Sequence, residues 1–186
     1  MMDRNQALAL MEKHLESEAL RRHSLASEAV LRALALRLGK GAEEAERWGI
    51  LGLLHDLDYQ ETENSPERHG RRTAELLADS GLAPEELEAI ARHNAEMLGL
   101  TRETELDLAV TCGEVVTGLI SAAALVQPDR KVASVKPSSA VRKMKDKGFA
   151  RSVNRGHIKL CEQLGLPLLD FMTLAVEAMG GLENEN

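Results

Sequence analysis

Apolar residues recur along this chain at three- and four-residue intervals, the spacing of one helix face. Leu8, Met11 and Leu15 share a face of a short amphipathic helix over residues 3–16. A second helix runs from about Ser17 to Leu38, with Leu20, His23, Ser27, Val30, Leu31, Leu34 and Leu38 in its stripe. It stops at Gly39, a residue suited to the position after a helix end. The third helix starts near Ala42, carries Glu43, Glu44 and Glu46 where the helix dipole favours acids, and reaches His55-Asp56. Residues 58–66 are polar and turn-like. Ser65-Pro66-Glu67 then reads as an N-cap, a proline at the first helical position and an early acid. That start predicts a helix holding His69, Ala74, Leu76 and Leu77 and ending at Gly81. Pro84-Glu85-Glu86 opens the next, which carries Leu87, Ile90, Ala91 and His93. Residues 101–106 start a long helix through Leu125, closed by Pro128, with Glu114 inside an otherwise apolar segment. A last pair spans 152–164 and 167–180, broken at Gly165-Leu166-Pro167, and the tail from Glu183 to Asn186 is expected to fray.

Composition sharpens this into an all-α, single-domain expectation, a helical bundle. Ala, Leu, Glu, Arg and Lys dominate, β-branched residues are sparse, and 186 residues suit one domain. Its core is expected over residues 17–126, with a basic segment and C-terminal helices over 130–180. Only 2% of residues are aromatic, so Leu, Ala, Val and Met must fill the core. The net charge of −7 and the lack of aromatic stacking residues argue against a nucleic-acid duplex as partner. Cys112 and Cys161 lie far apart in helical patterns and read as buried thiols. The N-terminus lacks a signal-peptide apolar core. The longest uncharged run, Val115 to Pro128, is too short to span a bilayer. A cytoplasmic protein with no membrane partner is the expectation; the pattern is silent on oligomeric state.

Charge is unevenly spread. Residues 130–155 hold nine cations, Lys136, Arg142, Arg151 and Arg155 among them, against the single acid Asp146, a net +8. Such a run is usually a solvated face, but its sign asymmetry makes a local anion site worth testing.

Candidate chemistry centres on Trp48 to Tyr59. Leu51, Leu54 and His55 fall at i, i+3 and i+4, so His55 continues the apolar face, with Asp56 next to it. A buried imidazole beside a buried carboxylate is costly unless both are satisfied. A divalent cation satisfies both at once; a satisfied core histidine beside a helix-end aspartate is the plainer alternative. His23 on a helix face and Glu114 within an apolar helix join the pair as further candidates.

The order His23, His55-Asp56, distal acid Glu114 resembles the HD superfamily of metal-dependent phosphohydrolases, and is closest to its small stand-alone members named for an HDIG motif. Arg22-His23-Ser24, Glu67-Arg68-His69-Gly70, Ala91-Arg92-His93-Asn94, Glu114 to Ile120 and Lys147 to Arg151 carry the likeness further. The doublet is followed here by Leu57-Asp58 rather than Ile-Gly, and Glu114 stands where the family more often has aspartate. Asp107, two turns earlier, is a rival for that place.

The resemblance implies an all-helical fold and a divalent ion (Mn, Fe, Co, Ni, Zn or Mg) on His23, His55, Asp56 and Glu114. A second ion on His69 and His93 would share Asp56. It implies catalytic roles for Asp56 and Asp58, the latter by bonding a water or a histidine. Lys136, Arg142, Arg151 and Arg155 would bind phosphate. The implied reaction is hydrolysis of a phosphomonoester or phosphodiester of a nucleotide or small metabolite by a metal-activated water. The alternative is a degenerate module that binds metal and a nucleotide or protein partner without turnover.

Overall fold

Two long helices set the frame. In the computed structural model, which describes residues 2–183, α2 (Glu18–Arg37) and α3 (Ala42–Leu54) pack more extensively with each other than any other pair. Val30, Leu31 and Leu34 of α2 and Leu51 and Leu54 of α3 are all fully buried in one core. The close approach comes from Gly52. A methyl there would stand 2.6 Å from the Glu28 backbone nitrogen and 2.7 Å from the Ser27 carbonyl oxygen. Trp48, the single tryptophan, is buried two turns before His55 on the same helix. Helix α1 (Arg4–His14) covers α3, with Met11 and Leu15 buried as the periodicity predicts.

The third long element is α8 (Glu105–Leu125), which packs against α2. Thr104 and Asp107 cap it reciprocally, each side chain accepting from the other's backbone N–H. Its length and mean hydropathy of 1.8 would allow it to cross a membrane, but 67% of that stretch is buried in the bundle, as in a core helix. Shorter helices carry the chain between these three: α4 (Tyr59–Thr62), α5 (Arg71–Leu76), α6 (Pro84–Arg92) and α7 (Ala95–Leu98). The described residues form no strand, in line with the all-α expectation.

Beyond α8 come a 3₁₀ turn (Val132–Ser134), α9 (Pro137–Lys143), α10 (Arg155–Ile158), a second 3₁₀ turn (Lys159–Glu162) and α11 (Leu168–Leu182). Helix α11 returns to α2 and α8 and buries Phe171, Met172 and Ala175 in the same core. Cys112 and Cys161 are free and buried.

Two local expectations need correction. Residues 58–66 are not all turn, because Tyr59–Thr62 makes a helical turn. The helix expected from Ser65 begins instead at Arg71, with Gly70 at φ 83° before it. The reason is tertiary. The Asp58 carboxylate accepts from the Gly70 and Thr73 N–H groups, at 2.8 and 2.9 Å, and so caps α5 from a distance. Of the tail expected to fray, residues 184–186 lie outside the described residues.

The Gly52 crossing generates a test. Gly52→Ala should lose about 3 kcal/mol in urea unfolding with an unchanged slope, because backbone atoms cannot rotate out of the way of the added methyl.

Candidate metal centre

His55 follows the last turn of α3 and is fully buried. Its Nδ1 faces the Gly52 carbonyl at 2.9 Å. A carbonyl only accepts, so Nδ1 carries the hydrogen and Nε2 presents a bare lone pair. The same logic applies three more times. His93 Nδ1 donates to the Ile90 carbonyl at 2.5 Å, and His69 Nδ1 donates to Asp58 Oδ1 at 2.7 Å. His23 Nδ1 lies 2.9 Å from Thr117 Oγ1, whose own hydrogen goes to the Glu114 carbonyl at 2.7 Å, so the hydroxyl must accept. Four Nε2 atoms are thereby aimed inward.

What they aim at is Asp56. Its Oδ1 lies 3.4 Å from His55 Nε2, 3.3 Å from His69 Nε2 and 3.6 Å from His93 Nε2, and its Oδ2 lies 3.6 Å from His23 Nε2. The rings also face one another, with His23 and His55 Nε2 atoms 3.1 Å apart and those of His69 and His93 2.9 Å apart. Lone pairs at such distances around a carboxylate repel unless a cation or proton lies between them. Two trios can each hold an ion, His23, His55 and Asp56, and Asp56, His69 and His93, their ligand atoms within 4.8 Å of one another. Imidazole and carboxylate together suit a divalent transition metal. Glu114 stands at the edge of the first trio, Oε2 3.7 Å from His23 Nε2.

The electrostatics report the same deficit of positive charge. Burial, then the neighbouring His55, lowers His23 to about 4. Burial, then His69 and His55, lowers His93 to about 3. Burial also opposes a charge on His69, but its bonds to Asp56 and Asp58 prevail and raise it to about 10. Without a metal, then, the cluster draws its positive charge from a proton on His69. Burial works against the Asp56 charge too, yet the surrounding rings, His55 foremost, hold its carboxyl below the ordinary range. Glu114 is pushed well above its usual value, by burial first and by Asp56 second.

The cluster forms the floor of a cavity of about 430 Å³ that Tyr59, Asn94, Glu114, Ser152, Asn154 and His157 also line. His23, Asp56, His69, His93 and Glu114 are therefore brought together as expected, and His55 sits beneath them. Of the two roles expected for Asp58, the bond to a histidine is the one found: Asp58 is fully buried, with both oxygens committed to His69, Gly70 and Thr73, so it positions His69 and does not reach the cavity to bond a water there. Other expectations change. Asp107 turns its Oδ2 to the α8 cap and to Arg92 at 3.0 Å and belongs neither to the cavity wall nor to the histidine cluster, which removes it as a rival to Glu114.

Arg155, expected to bind phosphate, lies outside the cavity wall and faces its own loop. Its guanidinium donates to the carbonyls of Asp146, Phe149, Ala150 and Val153 and fastens that loop. Lys136, Arg142 and Arg151 are exposed and do not line the cavity. Sequence reasoning missed Thr117, which orients His23, and His157, which lies just past the basic segment in a stretch read only as a helix.

An all-helical bundle with a buried His/Asp centre open to a cavity is an arrangement compatible with a divalent metal ion. Among known families, residues 20–124 match the HD domain. The match spans more than half the chain, and the chain belongs to the HD domain family. No curated protein and no solved structure matched it.

Two measurements follow from this geometry. Removing Asp58 (Asp58→Ala) frees the His69 ring and uncaps α5; the affinity for Mn²⁺, read by calorimetry, should fall about 10- to 100-fold. The second concerns pH in metal-free protein. His23 and His93 fold with pKa values below the unfolded 6.5, so the unfolded chain binds more protons as pH falls. Stability should therefore drop from about pH 6.5 down to 4.5. His69 adds little there, since it is charged in both states below 6.5, and Asp56 changes only below its unfolded value of 3.8. Glu114 works the other way: its folded value is raised above 4.5, so the native chain takes up that proton first and offsets part of the fall that His23 and His93 together produce. Urea melts across this range check the sign.

Proposed function

We propose that this protein is a metal-dependent phosphohydrolase acting on a phosphomonoester or phosphodiester of a nucleotide or small metabolite. One observation carries the reading: four histidine Nε2 atoms converge on the Asp56 carboxylate at the floor of one open cavity. His23, His55 and Asp56 would hold one divalent ion with Glu114 beside it, and His69 and His93 would hold a second against Asp56. Such an ion supplies an acidified water and draws charge from a phosphoryl oxygen. The cavity lining supports a phosphate-bearing substrate indirectly. It contains Asp56 and Glu114 but no lysine or arginine, so an anion entering it depends on cations held by the histidines. A volume of about 430 Å³ suits a small molecule rather than a polymer. The proposed compartment is the cytoplasm.

A second reading is a module that binds metal and a nucleotide or protein partner without turnover. Glu114 favours it, since its oxygen stands outside the two tight trios.

Elemental analysis and a phosphatase screen over nucleotides and sugar phosphates separate the two. Wild type should approach two metal equivalents when metal is abundant. His69→Ala and His93→Ala should each remove one, and the double change His55→Ala/Asp56→Ala should remove both. Equal metal in that double variant and wild type would sink the site. Full metal with no ester cleaved would favour the binding module.

A further inference from the structure

Part of the cavity wall lies outside the residues that match the family. Ser152, Asn154 and His157 reach it from the segment that follows the basic loop. That segment is built to hold its shape. Arg155 ties four loop carbonyls together, and Ala150 takes the left-handed φ of 43° inside the clamp. The Asn154 side chain accepts from the Gly156 and His157 N–H groups and fixes the start of α10.

His157 is further anchored from the other side. Its Nε2 lies 2.9 Å from Glu96 Oε1. Glu96 is gripped by Arg102 through two bonds of 2.7 and 2.9 Å, and that pairing is the main reason its carboxyl is lowered to about 2. Arg102 in turn donates to the His93 carbonyl and the Thr111 hydroxyl, both at 2.8 Å. A carboxylate only accepts, so Nε2 of His157 carries a hydrogen. No described residue bonds Nδ1, which leaves that nitrogen for a molecule in the cavity. A ring held by a carboxylate at one nitrogen and free at the other is the arrangement of a proton-transfer group.

We propose that His157, oriented by Glu96 and Arg102, is the proton donor to the leaving group. The proposal rests on the phosphohydrolase reading. In the step, the oxygen of an attacking water forms the new bond to phosphorus. The bond from phosphorus to the ester oxygen breaks, and its electron pair stays on that oxygen. The ester oxygen takes the proton from Nδ1 of the doubly protonated ring and leaves as an alcohol. The proton given up by the water restores the ring through solvent.

Two esters of similar size test this: phenyl phosphate, whose leaving group needs a proton, and p-nitrophenyl phosphate, whose leaving group does not. His157→Gln should slow the first on the order of 100-fold and the second by less than about threefold, with metal content unchanged. Equal loss on both esters, or loss on neither, overturns the donor role and leaves the phosphohydrolase reading standing. Wild type that carries metal and cleaves neither ester overturns that reading and the donor role with it. A readout independent of turnover is the ¹⁵N spectrum of the His157 ring in metal-free protein. Nε2 should carry a hydrogen, and Glu96→Ala should change its signal; a bare Nε2 overturns the proposal.

Discussion

Everything at this site follows from the way the outer nitrogens of four histidines are occupied. Gly52, Ile90, Asp58 and Thr117 each accept one ring hydrogen, and so each turns a lone pair toward Asp56. None of these four acceptors faces the cavity chemistry itself. They belong to a helix turn, a helix end, a helix cap and a hydroxyl on α8. Two carbonyls and two side chains of the folded bundle thus set the protonation pattern of the centre, and that pattern favours a cation.

The bundle places these rings by two different means. His23 and His55 ride on α2 and α3, whose crossing at Gly52 brings their backbones into contact. His69 and His93 stand next to short helices, held by specific polar contacts instead of a long packed face. The acidic floor and the absence of lysine and arginine from the cavity wall belong together. A permanent guanidinium beside Asp56 would neutralise the carboxylate that a metal needs. The basic segment instead spends Arg155 on its own loop and keeps Lys136, Arg142 and Arg151 in solvent.

Much of this was legible in the chain. Helical periodicity found the long elements, because they bury one continuous stripe each. His55-Asp56 stood out because the histidine sits on that stripe, and Glu114 stood out as an acid where packing would exclude one. His23 was already on a helix stripe; the resemblance gave it a role and added His69 and His93. The failures share a physical origin. Ser65-Pro66 is a sound local helix start, yet Asp58 supplies a stronger cap from another part of the chain. Arg155 was one cation in a run, and nothing local says that four carbonyls will close around it. His157 lies 61 residues from its partner Glu96, so no spacing rule connects them. Local patterns reveal elements and faces; contacts made by tertiary closure stay hidden.

Asp58 joins two tasks in one side chain, capping α5 and holding His69. The centre is consequently two regions of unequal resistance to local opening. The half on α2 and α3 shares the global stability of the bundle. The half around α5 can detach as a small cooperative unit when the Asp58 contacts break, taking His69 with it while His23 and His55 stay in place.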